Sequence, residues 1–282
     1  MSKCAKIWLI VALSLVLTGC ILFAGVMTAM GWDFTKLSTV KYETNQYEIR
    51  EDFRNISLMT DTADVVFVPS EDGKTSIVCY EQKKVKHSVA VQDGTLTIQM
   101  IDERKWYDYI GIFFGSPKLT VYLPEAEYGA LSLKSSTGDI HVENITVGKM
   151  ALSVSTGKVT VTDVVCQGDV TIHVSTGKAS LTNVACKNMK SDGDTGHMTL
   201  KNVIASEKIS LERSTGSIQF DGSDGAEIFV STSTGSITGS LLSDKVFFAQ
   251  TDTGRVDVPQ STTGGKCQLT TDTGNIQITV NP

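Results

Sequence analysis

The chain has 282 residues, 41% of them hydrophobic and 20% charged, which supplies one or two cores and excludes disorder over most of the length. Twenty-five Lys and Arg against 31 Asp and Glu leave a net charge of -6. No positive excess is available to neutralise a phosphate backbone, so nucleic acid is disfavoured as a partner. Five Pro beside 24 Gly, with 7% aromatic residues, indicate regular structure punctuated by glycine turns.

Residues 1–6 form a short tail, followed by residues 7–30 with no charged side chain over 24 positions. At roughly 1.5 Å per residue a helix of that length exceeds the ~30 Å hydrocarbon core, so a transmembrane helix is expected. Lys3 and Lys6 precede it, while Asp33 and a single Lys36 follow. That asymmetry puts the tail in the cytoplasm, Trp32 at the outer interface and the remainder outside. A competing reading is Leu17-Thr18-Gly19-Cys20, which resembles a lipobox and makes Cys20 a candidate lipidation site. The apolar run Ile21-Leu22-Phe23 is unlike the polar tether that usually follows such a cysteine, so the uncleaved anchor is preferred. Either way the protein is assigned to the cell membrane.

Residues 31–49 read as a linker and 50–125 as an irregular, β-rich N-terminal cap, with strand-like runs at 64–68, 75–80, 95–100 and 118–123. Asp61-Thr62-Ala63 looks like a degenerate copy of the repeat described next. Between two of these runs lies an aromatic stretch with Trp106, Tyr107, Tyr109, Phe113 and Phe114. It either folds over the first coil or forms an exposed patch for a partner or the membrane surface.

Residues 126–282 carry the strongest signal. A Ser/Asp-Thr-Gly tripeptide recurs with its glycine at Gly138, Gly157, Gly177, Gly196, Gly216, Gly235, Gly254 and Gly274, at intervals of 19 or 20. A fixed period near twenty marks a solenoid in which each repeat is one coil. Apolar columns stand two and four residues after each glycine, and five and seven before it, as in Ile140, Val142, Leu152 and Met150. Alternate spacing is the period of a strand with one face inward. The expected fold is therefore all-β: a right-handed, single-stranded parallel β-solenoid with two thin sheets, preceded by one N-terminal transmembrane helix. Each glycine serves as a turn residue, and a second corner is placed near Gln167-Gly168 and residues 223–225. The chain stops soon after its last strand, leaving an expected open edge for self-association or another partner.

Leu119-Thr120-Val121-Tyr122-Leu123-Pro124, then Glu127-Tyr128, Leu131-Ser132-Leu133 and Ser135-Ser136-Thr137-Gly138-Asp139-Ile140, resemble the entrance to the repeats of the bacterial "putative adhesin" family. The likeness covers about residues 50–280. It implies membrane anchoring, for some members a link to cell-envelope stress operons, and no catalytic residues.

The residues themselves point the same way. Asp194-Thr195-Gly196, Asp252-Thr253-Gly254 and Asp272-Thr273-Gly274 look like an aspartic-protease triplet, but Ser fills the same slot in the other five copies. Ser and Asp share a turn-bonding role rather than an acid–base one. His87, His141, His173 and His197 lack short metal-ligand spacing and are expected at the surface. No calcium nonapeptide occurs. Cys166 and Cys186, both nine after their glycine, stack on neighbouring coils as a disulfide or as two small hydrophobes. No catalytic, cofactor or metal residue is assigned. The expected function is a non-enzymatic adhesion, binding or scaffolding module contacting cell wall or an envelope protein. The alternatives are a regulatory module of envelope-stress sensing and, last, a carbohydrate-active enzyme.

Overall fold

A computed structural model describes residues 2–109 and 115–281, in two compact units: residues 1–42 with 104–115, and 43–103 with 116–282.

In the first unit, α1 (Lys3–Ala29) is an unbroken apolar helix, long enough to cross a membrane and equally compatible with a signal sequence. Its three hydroxyl side chains return to the helix itself. Ser14, Thr18 and Thr28 donate to the carbonyls of Val11, Ser14 and Ala24, each at 2.8 Å. Each hydroxyl is thus satisfied without water. The chain leaves the helix through Gly31 and Trp32, both left-handed, and Lys36 donates to the Met30 carbonyl.

The second unit begins with β1 (Tyr42–Ile49), β2 (Asn55–Met59), β3 (Asp64–Pro69), β4 (Thr75–Gln82), β5 (Val85–Gln92), β6 (Thr95–Asp102) and β7 (Lys118–Leu123). The repeats follow as β8 (Glu127–Thr137), β9 (Ile140–Thr156), β10 (Val159–Cys166), β11 (Asp169–Thr176), β12 (Ala179–Thr195), β13 (Met198–Thr215) and β14 (Ile218–Thr234). The last strands are β15 (Ile237–Leu241), β16 (Lys245–Thr253), β17 (Val256–Asp257), β18 (Gly265–Thr273) and β19 (Ile276–Val280). From β8 onward every pairing is parallel, coil on coil, so the protein is a β-solenoid of coils about twenty residues long.

Each coil has three straight segments rather than two. In β9 the buried side chains are Ile140 and Val142, then Ile145 and Val147, then Met150, Leu152 and Val154. The alternation slips twice along the strand, and each slip is a bend. The first is made by a left-handed residue six after the glycine: Asn144, Asp163, Asn183 and Asn202 have φ of 52°, 53°, 54° and 51°. Asn and Asp tolerate this region better than other residues with a Cβ. Their side chains also form a ladder, Asn202 donating to Asn183 at 2.9 Å and Asn183 to Asp163 at 2.7 Å. The core thus has seven inward positions per coil where sequence spacing suggested four, and the corner sought near 167–168 is the second of two.

All eight repeat glycines have φ between 126° and 154°. At Gly196 a Cβ would overlap the carbonyl oxygen of Gly177 on the neighbouring coil, so the corner excludes any side chain. The backbone ladder continues through this corner: Gly196 N donates to Thr215 O and Gly177 N to Thr195 O, both at 2.8 Å.

Both ends of the stack depart from chain order. At the N-terminal end, β2 pairs with β8 and β6, and β3 with β9 and β7. The coil β2–β3 therefore lies between coils that follow it in sequence. Asp61-Thr62-Ala63 registers on the Gly138 corner, Thr137 N donating to Asp61 O at 2.6 Å. Antiparallel β5 and β4 then cover β6 and β7.

At the other end β18 inserts between β14 and β16, and β19 between β15 and β17. The expected open edge after the last strand is therefore corrected in part: the first two residues of β19 pair on both sides, its last three pair with β15 alone, and the terminal coil is β16–β17. That edge is blunted only in part: β17 has two residues and Lys245 of β16 is buried against Asp224 with Nζ to Oδ1 at 2.7 Å, while the nine-residue β16 pairs with β18 on one side. A short edge strand and an inward charge both discourage pairing with another chain.

Candidate functional site

The third segment of each coil presents a flat outer face, and its composition changes along the stack. Outward positions are mixed and polar, with lysines along the stack such as Lys134, Lys149 and Lys190, and near the terminal coil two phenylalanines join Lys208 and Lys266. Phe229 pairs in register with Gln268, and Gln268 with Phe248, so the three side chains form one row. Lys208 Nζ stands 4.2 Å above the Phe229 ring, and Lys266 Nζ lies 5.2 Å from Phe229 and 5.5 Å from Phe248. Phe248 is 54% exposed. An aromatic row flanked by ammonium groups offers dispersion and positive charge at one place, suited to an anionic and partly apolar partner. The strip was legible in the sequence, since Phe229, Phe248 and Gln268 all stand six residues before their repeat glycines, but only the inward columns had drawn attention.

The aromatic stretch falls in the unit that contains α1. Trp106 and Tyr107 meet edge to face at 5.8 Å, and the Arg104 guanidinium lies 4.4 Å from the Tyr109 ring. Trp106 is 77% exposed, and Trp32 is exposed at the helix exit. Phe113 and Phe114 lie outside the described residues. Cys20 is exposed in the middle of α1.

Three of the histidines join short polar contacts. His141 Nε2 lies 3.0 Å from Glu143 Oε2, and His197 Nδ1 accepts from Ser217 N at 3.1 Å. His173 is hydrogen-bonded through Nδ1 to Asp192 and lies 3.0 Å through Nε2 from Ser175 Oγ. This is the order of groups in an acyl-transfer triad. The three side chains stand on the outer sheet face, however, and the ladders of β11 with β9 and β12 occupy the backbone N–H groups that an oxyanion hole would need. The fourth, His87, corrects the expectation of surface histidines: it is buried, because it lies inside the cap against Thr60 and Glu81.

Cys166 and Cys186 are free and buried on adjacent coils. Cys166 Sγ contacts the Gly148 and Asp169 carbonyls at 3.6 and 3.5 Å, and burial pushes the Cys186 thiol up to about 12. They act as small apolar groups. A depression of about 370 Å³ borders the Asn144 bend, between Pro69, Pro124, Tyr128 and Asp163.

A solved structure of a "putative adhesin" from Bacteroides fragilis matches the chain with a TM-score of 0.57 at 20% identity, covering 85% of this chain and 97% of that one. A "putative adhesin" from Parabacteroides merdae covers 86% of this chain and 98% of its own, at 14% identity and a TM-score of 0.49. A "putative lipid binding protein" from Parabacteroides distasonis gives 13% identity, a TM-score of 0.40 and coverages of 86% and 98%. No curated protein is significantly similar. Residues 53–282 match the family described as Toastrack DUF4097, which spans the cap and every coil, and the chain belongs to that family.

Proposed function

We propose that the chain is a non-enzymatic binding or adhesion module, held at the cell membrane by α1 and facing the cell wall or an envelope protein. Residues 1–6 form the cytoplasmic tail, 7–30 the anchor and 31–49 the linker. Residues 50–125 form the cap and 126–282 the solenoid. Lys3 and Lys6 before the apolar helix support the orientation. The helix continues past Cys20 to Ala29, which supports an uncleaved anchor over lipidation. Trp32, Trp106, Tyr107 and Tyr109 suit the headgroup region, where amphipathic rings are favoured.

The observation that carries the binding reading is the outer-face strip of Phe229, Gln268 and Phe248 with Lys208 and Lys266. It is a surface the fold does not need, since these side chains point away from the core. The experiment incubates detergent-solubilised full-length protein with isolated cell-wall sacculi and, separately, with a membrane-protein extract. Retention on the wall is expected, with Phe248→Ser/Lys266→Glu weakening it roughly tenfold, or ~1.4 kcal/mol. Absence of retention on both fractions, or retention indifferent to the double substitution, contradicts the reading. Turnover of a glycan or ester panel that is lost in Ser175→Ala would contradict its non-enzymatic part.

A further inference from the structure

Three side chains with different donor atoms meet inside the cap, away from the outer faces. On β4, Cys79 and Glu81 are two residues apart and so point to the same inward side. The chain reverses at residues 83–84, Gln82 pairing antiparallel with Val85, and β5 brings His87 back against them. The Cys79 sulfur, a Glu81 carboxylate oxygen and a His87 ring nitrogen all lie within 4.8 Å of one another. Their exposures are 0%, 1% and 4%.

The surrounding contacts hold the two larger groups in place. His87 Nδ1 is 2.7 Å from Glu81 Oε2, and its Nε2 is 2.9 Å from Thr60 Oγ1. Glu81 Oε1 accepts from Asn45 Nδ2 at 2.7 Å, and Oε2 also accepts from the His87 backbone N at 2.7 Å. Tyr47 donates to the His87 carbonyl at 3.1 Å.

We propose that Cys79, Glu81 and His87 form a binding site for a divalent transition-metal ion of the zinc type. Thiolate, carboxylate and imidazole are the donor set this ion takes, and three protein ligands leave a fourth tetrahedral position. The charges support the choice: a thiolate, a carboxylate and a neutral imidazole around M2+ sum to zero, which a buried site requires. The supporting shell is already present. With Nδ1 on the metal, Nε2–H donates to Thr60 Oγ1, and Asn45 holds the second oxygen of Glu81, the two outer contacts that metal-bound histidines and carboxylates characteristically have. A buried Glu–His pair would be satisfied without a sulfur beside it; the converging thiol is what the hydrogen-bond network leaves unexplained.

The proton balance is explicit. The metal replaces the Sγ–H proton of Cys79, which leaves to solvent, and the proton on Nδ1 of His87. From a neutral imidazole the ring proton moves to Nε2, so one proton is released in total. From an imidazolium two are released.

The test uses full-length protein in detergent, in a Cys4→Ser/Cys20→Ser background so that exposed thiols do not bind metal, stripped with a chelator and titrated with Co2+. Binding at one ion per chain is expected, with a near-ultraviolet thiolate-to-cobalt band, displacement by Zn2+ and release of one or two protons in calorimetry across buffers. Cys79→Ser should abolish the band, His87→Gln should weaken binding at least tenfold, and Cys267→Ser should change neither. Failure to bind, or a band that survives Cys79→Ser, overturns the proposal and leaves a hydrogen-bonded network only. Should Cys79→Ser not fold, X-ray absorption of the zinc-loaded background protein decides: one sulfur with nitrogen or oxygen neighbours supports the site, and none or several overturns it.

Discussion

At the scale of single residues, the glycine corner is the least replaceable feature. Gly196 has a φ of 137° and its missing Cβ lies where the Gly177 carbonyl oxygen stands, so both conformation and space forbid a side chain. Gly73 also has a positive φ, 71°, but faces open space. Gly73→Ala should cost about 1 kcal/mol, and Gly196→Ala on the order of 4 kcal/mol because a backbone of the next coil must move as well. Thermal melts should rank wild type above Gly73→Ala and both well above Gly196→Ala; equal melting of the two variants would refute the close-approach argument. The buried thiols give a second prediction. Burial pushes Cys186 and Cys267 up to about 12 from an ordinary value near 9. Below pH 9 the thiol is protonated in folded and unfolded chains alike, and its contribution is full. Between about 9 and 12 the unfolded chain ionises while the folded one does not, so stability falls as pH rises. Melting temperature plotted against pH through that window should fall less steeply for Cys186→Ala/Cys267→Ala than for wild type.

At the scale of the coil, the bend six residues after the glycine depends on Asn and Asp as the glycine corner depends on Gly. Asn183 combines a φ of 54° with ladder bonds to Asp163 and from Asn202. Asn183→Ala loses both and should cost about 2 kcal/mol, whereas Asn183→Gly keeps the backbone freedom and should cost about 1 kcal/mol. Denaturant unfolding that finds Gly no better than Ala would show that the ladder, not the backbone, sets the corner. This corner was readable in the sequence, since Asn144, Asp163, Asn183 and Asn202 stand six residues after their glycines. It was obscured because apolar alternation continues on both sides of the bend, and a slip in phase is less visible than a break in pattern.

At the scale of the molecule, the repeat period disclosed the coil and the apolar segment disclosed the helix, because both are local and periodic. The stacking order at the two ends was not legible. An inserted coil such as β18–β19 keeps the same spacing from its sequence neighbours as one stacked in order, so period alone carries no information about which coils touch. The Phe229–Gln268–Phe248 row was legible, since each stands six residues before a repeat glycine, whereas the burial of His87 was not. A histidine's distance in sequence from Cys79 and Glu81 says little until the β4–β5 hairpin closes.

Under the proposed function the solenoid is displayed outside the membrane while the tail stays inside, and labelling in intact cells tests this most directly. Ser231 lies on the exposed outer face and Cys4 in the tail, so Ser231→Cys gives one chain with a reporter on each side. A membrane-impermeant maleimide should label Cys at 231 in intact cells and reach Cys4 only after permeabilisation. The reverse order, or labelling of neither until the membrane is opened, would contradict an outward-facing module.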